Sequence, residues 1–324
     1  MELSKKEKLN ISEILGRPET MVFLVLVFLF IMMSFLRPFS FPTPRNIFNI
    51  FRQSSLVAIL AVGMGFVIIT GGIDLSVGAV IGFTACMSMA VNRALNLPGF
   101  AVLIVILGGG CLIGIINGLL ISKLKIPPFI VTLGMLSICQ GGALVISNGN
   151  PIRYEPTWIS VFGGGFIGLF PVTILVMVAV LIFGYVFSNF TQMGRNIYAV
   201  GNSQQAARLS GISVDRVIIT VYAITGTLAG VCSLILIGQM NGGDPSYGRG
   251  IELDVIAAAV IGGISMKGGE GRILGVLLGA LLMGLLKNMF IQLAVSGFWQ
   301  TIVLGLVIIG AVSIDAIRRA RASR

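Results

Sequence analysis

The sequence predicts an all-α polytopic integral membrane protein, and three observations carry that prediction. Of 324 residues, 56% are hydrophobic and only 10% are charged, whereas a soluble domain carries roughly 25% charged residues to face water. The apolar residues fall in long continuous runs, close to the roughly 20 residues, rising about 1.5 Å each, that cross a hydrocarbon core of about 30 Å. In that solvent the backbone must satisfy its own hydrogen bonds, as a helix does within one segment. A closed barrel also does so, but it needs short alternating strands that this chain lacks.

Residues 1–20 are polar and basic (Lys5, Lys6, Lys8, Arg17) and are expected to form a cytoplasmic N-terminal segment. The apolar run 21–36 is followed by Arg37-Pro38 and Phe41-Pro42-Thr43-Pro44 rather than by a small-residue cleavage site. It therefore reads as an uncleaved first span. Ile47, Phe48, Ile50 and Phe51 then suggest a stretch lying at the membrane interface. Further runs at about 54–72, 76–92, 98–121, 128–146, 171–189, 217–239, 251–265, 272–293 and 298–316 bring the expected count to ten spans. They fill a transmembrane domain 21–316, ahead of a basic tail 317–324. Glycines at 108–110 and at 275, 279 and 284 mark places where membrane helices approach closely.

The net charge is +10, from 22 basic and 12 acidic residues. With the N-terminus in the cytoplasm, fifteen Lys and Arg residues fall inside. Six fall outside (Arg37, Arg45, Arg52, Arg93, Arg153, Arg249), and Lys287 sits within a span. That positive-inside bias places both termini in the cytoplasm and makes anionic lipid the partner of the basic residues, with no need of nucleic acid. The chain has no histidine, which removes the commonest general base and metal ligand. Cys86, Cys111, Cys139 and Cys232 all lie in apolar runs without metal-type spacing and read as small buried hydrophobes.

Two loops stand out. The external one, about 147–170, holds Asn148-Gly149-Asn150-Pro151 and Trp158; the cytoplasmic one covers about 190–216. A faint repeat is also visible, since Gly71-Gly72-Ile73 and Gly262-Gly263-Ile264 each interrupt an apolar pair. Paired glycine-broken segments point to a transport pathway.

Asp74, in Gly71-Gly72-Ile73-Asp74-Leu75-Ser76-Val77-Gly78, lies between two apolar halves. A carboxylate inside the bilayer costs about 2.5–3.5 kcal/mol on insertion scales, so it needs a reason. One reason is structural: the helix breaks at the glycines and Asp74 caps the next one. The other is functional, a proton or cation site or a wall of the substrate path. The coincidence of break and capping residue favours the cap. Asn117, Gln140, Gln239, Asn288, Gln292 and Gln300 are the other polar residues in spans. Neutral amides both donate and accept, which suits a hydroxyl-rich ligand as well as interhelical bonding. Asp74, Ser76, Asn117, Gln140, Asn288 and Gln292 are accordingly the candidates for a translocation path. Lys287 either extends toward an interface or pairs with a carboxylate.

In the cytoplasmic loop, Gly194–Ile212 holds a short helix. Asn202 and Gln205 form a box-like cap at its start and Gly211 suits its end. A helix of about two turns cannot stand alone and must dock on something. The segments Gly71–Gly78, Gly194–Ile212 and Glu252–Gly275 resemble the permeases of bacterial ATP-binding-cassette importers for monosaccharides, such as those for ribose, xylose and galactose. The likeness runs from about residue 45 to 316. The resemblance implies that Gly201, Asn202, Ala206, Ala207, Arg208, Leu209, Ser210 and Gly211 form the helix that engages an ATPase, with Ala207 in the middle of its docking face. It also implies a second copy of the permease, a cytoplasmic ATPase and an extracytoplasmic sugar-binding protein as partners.

No Gly-x-x-x-x-Gly-Lys-Ser/Thr loop occurs in the chain, and Gly268-Gly269-Glu270-Gly271-Arg272 lacks the lysine. No cofactor is expected here, and ATP with Mg belongs to the partner ATPase. The competing reading is a secondary transporter coupled to an ion through Asp74. A membrane enzyme is disfavoured, because the spans hold no histidine and no clustered pair of carboxylates.

Overall fold

The computed structural model describes residues 18–153 and 158–322. Lys5, Lys6, Lys8, Arg17 and Arg324 of the expected cytoplasmic ends lie outside the described residues. Those described form thirteen helices: α1 (Pro18–Leu36), α2 (Pro44–Ile69), α3 (Val77–Leu95), α4 (Gly99–Lys123), α5 (Pro128–Ser147), α6 (Ser160–Gly164), α7 (Val172–Phe190), α8 (Gln192–Asn202), α9 (Gln204–Leu209), α10 (Val214–Met240), α11 (Ile251–Ile261), α12 (Ile273–Gln292) and α13 (Gly297–Ala322). Two small strand pairs accompany them. β1 (Ile152–Arg153) runs antiparallel to β4 (Gly242–Gly243), and β2 (Phe166–Ile167) to β3 (Phe170–Pro171).

Among the described residues, eight helices are long and apolar enough to cross a membrane: α1, α2, α3, α4, α5, α7, α10 and α12. Of the ten expected runs, two are not among these eight. The run 251–265 makes only the 11-residue α11, about 16 Å long and half a span, because Gly262 and Gly263 end it. The run 298–316 falls within the 26-residue α13, where Gly297–Val307 is a shorter apolar stretch among the described residues. The expected interfacial stretch is also different. Ile47, Phe48, Ile50 and Phe51 form the first turns of α2, which starts at Pro44 with Thr43 Oγ1 accepting from Asn46 N. Proline at the first helical position and a threonine cap make a continuous helix there.

α2 is the central helix. Ala58 through Ile69 are all buried, and α7, α10, α11 and α12 pack around them. Along α4, Gly110, Gly114 and Gly118 face Gly226, Tyr222 and Ile219 of α10, so closely that a Cβ at any of the three would overlap backbone. Glycines one turn apart remove a ridge and let the two axes approach. Three helices end on an asparagine in the left-handed region, Asn96, Asn148 and Asn241, the non-glycine residue that best tolerates it.

The repeat anticipated from glycine triplets exists, in a different register. α2–α5 and α10–α13 are two four-helix units joined through α7. α2 packs on α12 as α10 packs on α4; α3 packs on α5 as α11 on α13; α3 and α10 touch as α11 and α2 do. The units are inverted, because the end of α2 meets the beginning of α10: Tyr222 Oη donates to the Ile73 carbonyl at 3.2 Å. The counterpart of the break after α2 is therefore the 241–250 segment after α10. Asp244 Oδ1 there accepts from Ser246 N (2.7 Å) and Ser246 Oγ (2.6 Å), as Asp74 Oδ1 accepts from Ser76 N (2.9 Å) and Ser76 Oγ (2.6 Å). Gly262-Gly263-Ile264 instead closes α11, and reaches the same end of the bundle as Gly71.

Candidate functional site

The expected cytoplasmic loop folds as two helices. Thr191 Oγ1 accepts from Gly194 N at 3.0 Å and starts α8, whose Gly194, Ile197 and Val200 are buried. The sequence held that signal, a capping threonine followed by buried positions three apart, but the shorter second helix drew the assignment. The start of α9 is shifted by one residue. Ser203 caps it by accepting from Ala206 N at 3.2 Å, while Asn202 ends α8. Ser210 and Gly211 close α9 as expected of a glycine C-terminal signal. Gly211 has φ +79, with Gly211 N donating to the Arg208 carbonyl and Ile212 N to that of Ala207, both at 3.0 Å.

Of the expected docking residues, Asn202, Ala206, Arg208, Leu209 and Ser210 are exposed, and Leu209 is 85% exposed. Ala207 is buried at 4%, so it faces the permease itself and not a docking surface. It stands on the opposite side of the helix from where the sequence placed it. A cavity of about 500 Å³ beside α9 is lined by Lys125, Arg208, Gly211, Ile212 and Asp215. Lys123 and Lys125 both reach Asp215, at 2.9 and 3.4 Å, tying the end of α4 to the start of α10.

Behind α9, Gly201 is wedged against two backbones. A Cβ there would overlap the Ile69 carbonyl oxygen and Gly269 N. Gly269 N itself donates to the Ile69 carbonyl at 2.8 Å, and Tyr198 Oη donates to the Gly271 carbonyl at 2.9 Å. Burial pushes the Tyr198 hydroxyl above the ordinary tyrosine range, which keeps it a donor. α8 is thus locked to the end of α2 and to the glycine-rich 262–272 segment together. Gly268 (φ +87) and Gly269 (φ +77) supply the left-handed turns that let that segment fold under α2.

From Ile69 the chain turns through Gly71 (φ +83) into a buried polar cluster. Asp74 is 2% exposed and Ser76 and Asn117 1% each. Asn117 Nδ2 donates to Ser76 Oγ at 3.1 Å, and Ser76 Oγ donates to Asp74. Thr132 of α5 and Tyr222 of α10 donate to the Ile73 carbonyl. The expected cap is corrected: Ser76, not Asp74, begins α3, its carbonyl accepting the first helical bond from Val80 N without a side-chain cap bond, while Asp74 closes the turn just before the helix by accepting from Ser76 N and Oγ. Thr132 and Tyr222 were missed. A tyrosine inside an apolar run was the available signal, since its hydroxyl needs a buried partner.

The other path candidates lie elsewhere. Asn288 and Gln292 belong to a cluster at the far end of α2: Asn46 and Asn288 exchange amide bonds of 3.1 and 2.9 Å, and Gln292 Nε2 donates to Asn46 Oδ1 at 3.2 Å. Asn46 and Asp74 are separated by the length of α2, about 35–40 Å, so these amides join helices α2 and α12 rather than meeting Asp74. Gln140 is half-buried on α5, two turns beyond Thr132. Lys287 of α12 is paired with Asp254 of α11.

Asp74→Asn keeps an oxygen that accepts from Ser76, so the variant is expected to assemble normally and to keep uptake within about twofold. Asp74→Ala removes the acceptor for both Ser76 donors and should lose about 1–3 kcal/mol of stability. An assembled Asp74→Asn protein with no uptake would show that the carboxylate carries an ion instead.

The model of the family described as branched-chain amino acid transport system, permease component, matches residues 46–312. The chain is 42% identical to the ribose import permease protein RbsC of Bacillus subtilis over 298 residues, 90% of this chain and 91% of the relative. It is 36% identical to the L-arabinose ABC transporter permease protein AraH of Azospirillum brasilense, covering 92% and 87%. It is 34% identical to the D-allose transport system permease protein AlsC of Escherichia coli, covering 97% and 96%. No solved structure matches the chain. With a family model spanning both four-helix units and the loop that carries α8 and α9, the chain belongs to this family of transport-system permease components and is a multi-pass membrane protein.

Proposed function

We propose that the chain is the membrane subunit of an ATP-binding-cassette importer that carries a monosaccharide across the bacterial plasma membrane. The observation that carries this reading is the end-to-end likeness to permeases named for ribose, arabinose and allose. The family's own description names amino acids, but these relatives match over nearly their whole length and are named for sugars. The ion-coupled alternative draws no support from them.

In this reading the end holding α8, α9 and Gly269 faces the cytoplasm, as the Lys and Arg bias of that side supports. Leu209, Ala206 and Arg208 present the contact for a cytoplasmic ATPase, with the adjoining Lys125–Asp215 cavity receiving the partner's surface. ATP and Mg²⁺ are handled on that partner. A second copy of the permease completes the translocation path, and an extracytoplasmic binding protein delivers the sugar to the opposite end, near β1, β4 and the β2–β3 hairpin. Residues 21–316 are the permease domain, with the basic residues after it in the cytoplasm. Asp74, Ser76 and Asn117 lie where α2 hands over to α3, next to the coupling helices, and form the inner part of the path.

A strain lacking its own ribose permease, supplied with this chain, the matching ATPase and binding protein, is expected to regain uptake of a radiolabelled pentose or hexose. Uptake that persists after deletion of the binding protein and the ATPase contradicts the reading.

A further inference from the structure

Among the described ion pairs, Lys123 and Lys125 with Asp215, and Arg272 with Glu19, sit at helix ends on the coupling side. The pair between Lys287 and Asp254 does not. Lys287 is fourteen residues past Ile273 in α12, about 21 Å along the axis, and still five residues short of Gln292. Asp254 lies in the first turn of α11. That helix begins inside the bundle, where Gly248 and Glu252 press on Gly78 at the start of α3. The inverted repeat thus brings the starts of its two short-linked helices, α3 and α11, to one level, and the ion pair lies beside them.

The pair is not sealed. The Lys287 side chain is 32% exposed and that of Asp254 11%. Open exposure to hydrocarbon is strongly unfavourable for either ion. Nor does Lys287 reach out to the nearby headgroups. Side chains on a helix lean toward its N-terminus, and for α12 that is the Arg272 end, so Lys287 leans into the membrane and onto Asp254. The surface it opens on must therefore be polar.

We propose that the Asp254–Lys287 pair lines the translocation path and binds neighbouring hydroxyls of the passing sugar. This rests on the importer reading above. The ammonium has three N–H donors, of which Asp254 takes one, and the carboxylate accepts at both oxygens. A vicinal diol, whose two oxygens each donate and accept, matches such a pair, whereas an apolar solute does not.

The test uses the complex with its ATPase and binding protein in a background free of the four cysteines. Asp254→Asn/Lys287→Cys avoids leaving one charge alone, and a charged, membrane-impermeant thiol reagent probes the new thiol. Labelling is expected at least tenfold faster than at Ile182→Cys, in the middle of α7 and 59% exposed. Sugar-loaded binding protein should slow it. Ile291→Cys, one turn along the same face with the pair intact, gives the same readout if the double variant does not insert. Asp254→Asn/Lys287→Met should lose at least tenfold in uptake while binding-protein-stimulated ATP hydrolysis persists. Labelling no faster than at Ile182→Cys, cross-linking of Lys287→Cys between two copies without aqueous labelling, or parental uptake by the neutral pair each overturns the proposal. Absence of ATP-driven sugar uptake in the parent complex overturns the importer reading instead.

Discussion

Leu209→Glu should abolish retention of the ATPase on purification while leaving the amount of inserted permease unchanged. Leu209 is 85% exposed, so the substitution costs the free permease almost nothing. In a complex it would place an unpaired carboxylate where an apolar side chain is buried, and truncating or reversing such an anchor typically costs about 2–4 kcal/mol, or roughly 30- to 1,000-fold in affinity. Sugar uptake and binding-protein-stimulated ATP hydrolysis should fall together. Ala207→Glu behaves differently. Ala207 is buried under α9, so the glutamate must displace the whole helix, and the variant should show increased proteolysis of the 190–216 loop. Equal loss of the ATPase with an intact loop in both variants would mean that Ala207, too, faces the partner.

Gly201→Val should break coupling from the other side of the same element. Its new Cβ meets the Ile69 carbonyl and Gly269 N, which are backbone atoms bonded into the lock between α2 and the 262–272 segment. Such atoms cannot swing aside as a side-chain tip does, and overpacking costs about 1–3 kcal/mol, more where the backbone must shift. The variant is expected to retain little stimulated ATP hydrolysis and at most about a tenth of parental uptake, with α9 displaced enough to weaken the ATPase complex. Gly134→Ala is the matched control: it lies in α5 with nothing within 4 Å of the new methyl, so uptake should be unchanged. Parental uptake by Gly201→Val would remove the lock from the account.

The contrast between Ala207 and Gly201 shows how much of the site was legible in the sequence. Span-forming runs were legible because lipid leaves one solution for an apolar chain, and the ends of α1, α3, α4, α5, α7, α10 and α12 fall close to the runs read. Gly211 was legible because a left-handed residue ends a helix wherever it occurs. The side of α9 that faces outward was not. Six residues with two alanines and one leucine have no periodicity strong enough to fix a face, and what turns Ala207 inward is packing against α8 and α10, which is tertiary. The half-length of α11 was obscured for a similar reason. Its apolar residues continue past Ile261, and only the fold of Gly262–Gly271 under α2 shows that the helix has stopped. The register of the repeat also escaped, because it is carried by Asp74–Ser76 and Asp244–Ser246, two aspartate turns with little else alike around them. Asn288 and Gln292 were read as path residues from polarity alone. Their partner Asn46 lies among the apolar residues that open α2, and its bonds to both make them interhelical ties between α2 and α12.

The central claim is that this permease moves sugar only when α8 and α9 transmit work from an ATPase. Its most direct test is uptake of labelled ribose into proteoliposomes containing the purified permease. Each omission is made in turn: ATPase, ATP with Mg²⁺, binding protein. A proton or sodium gradient is imposed in parallel on vesicles holding the permease alone. The account predicts uptake only with all components present, no response to either gradient, and loss of uptake in Leu209→Glu. Gradient-driven uptake by the permease alone, abolished in Asp74→Asn, would contradict it.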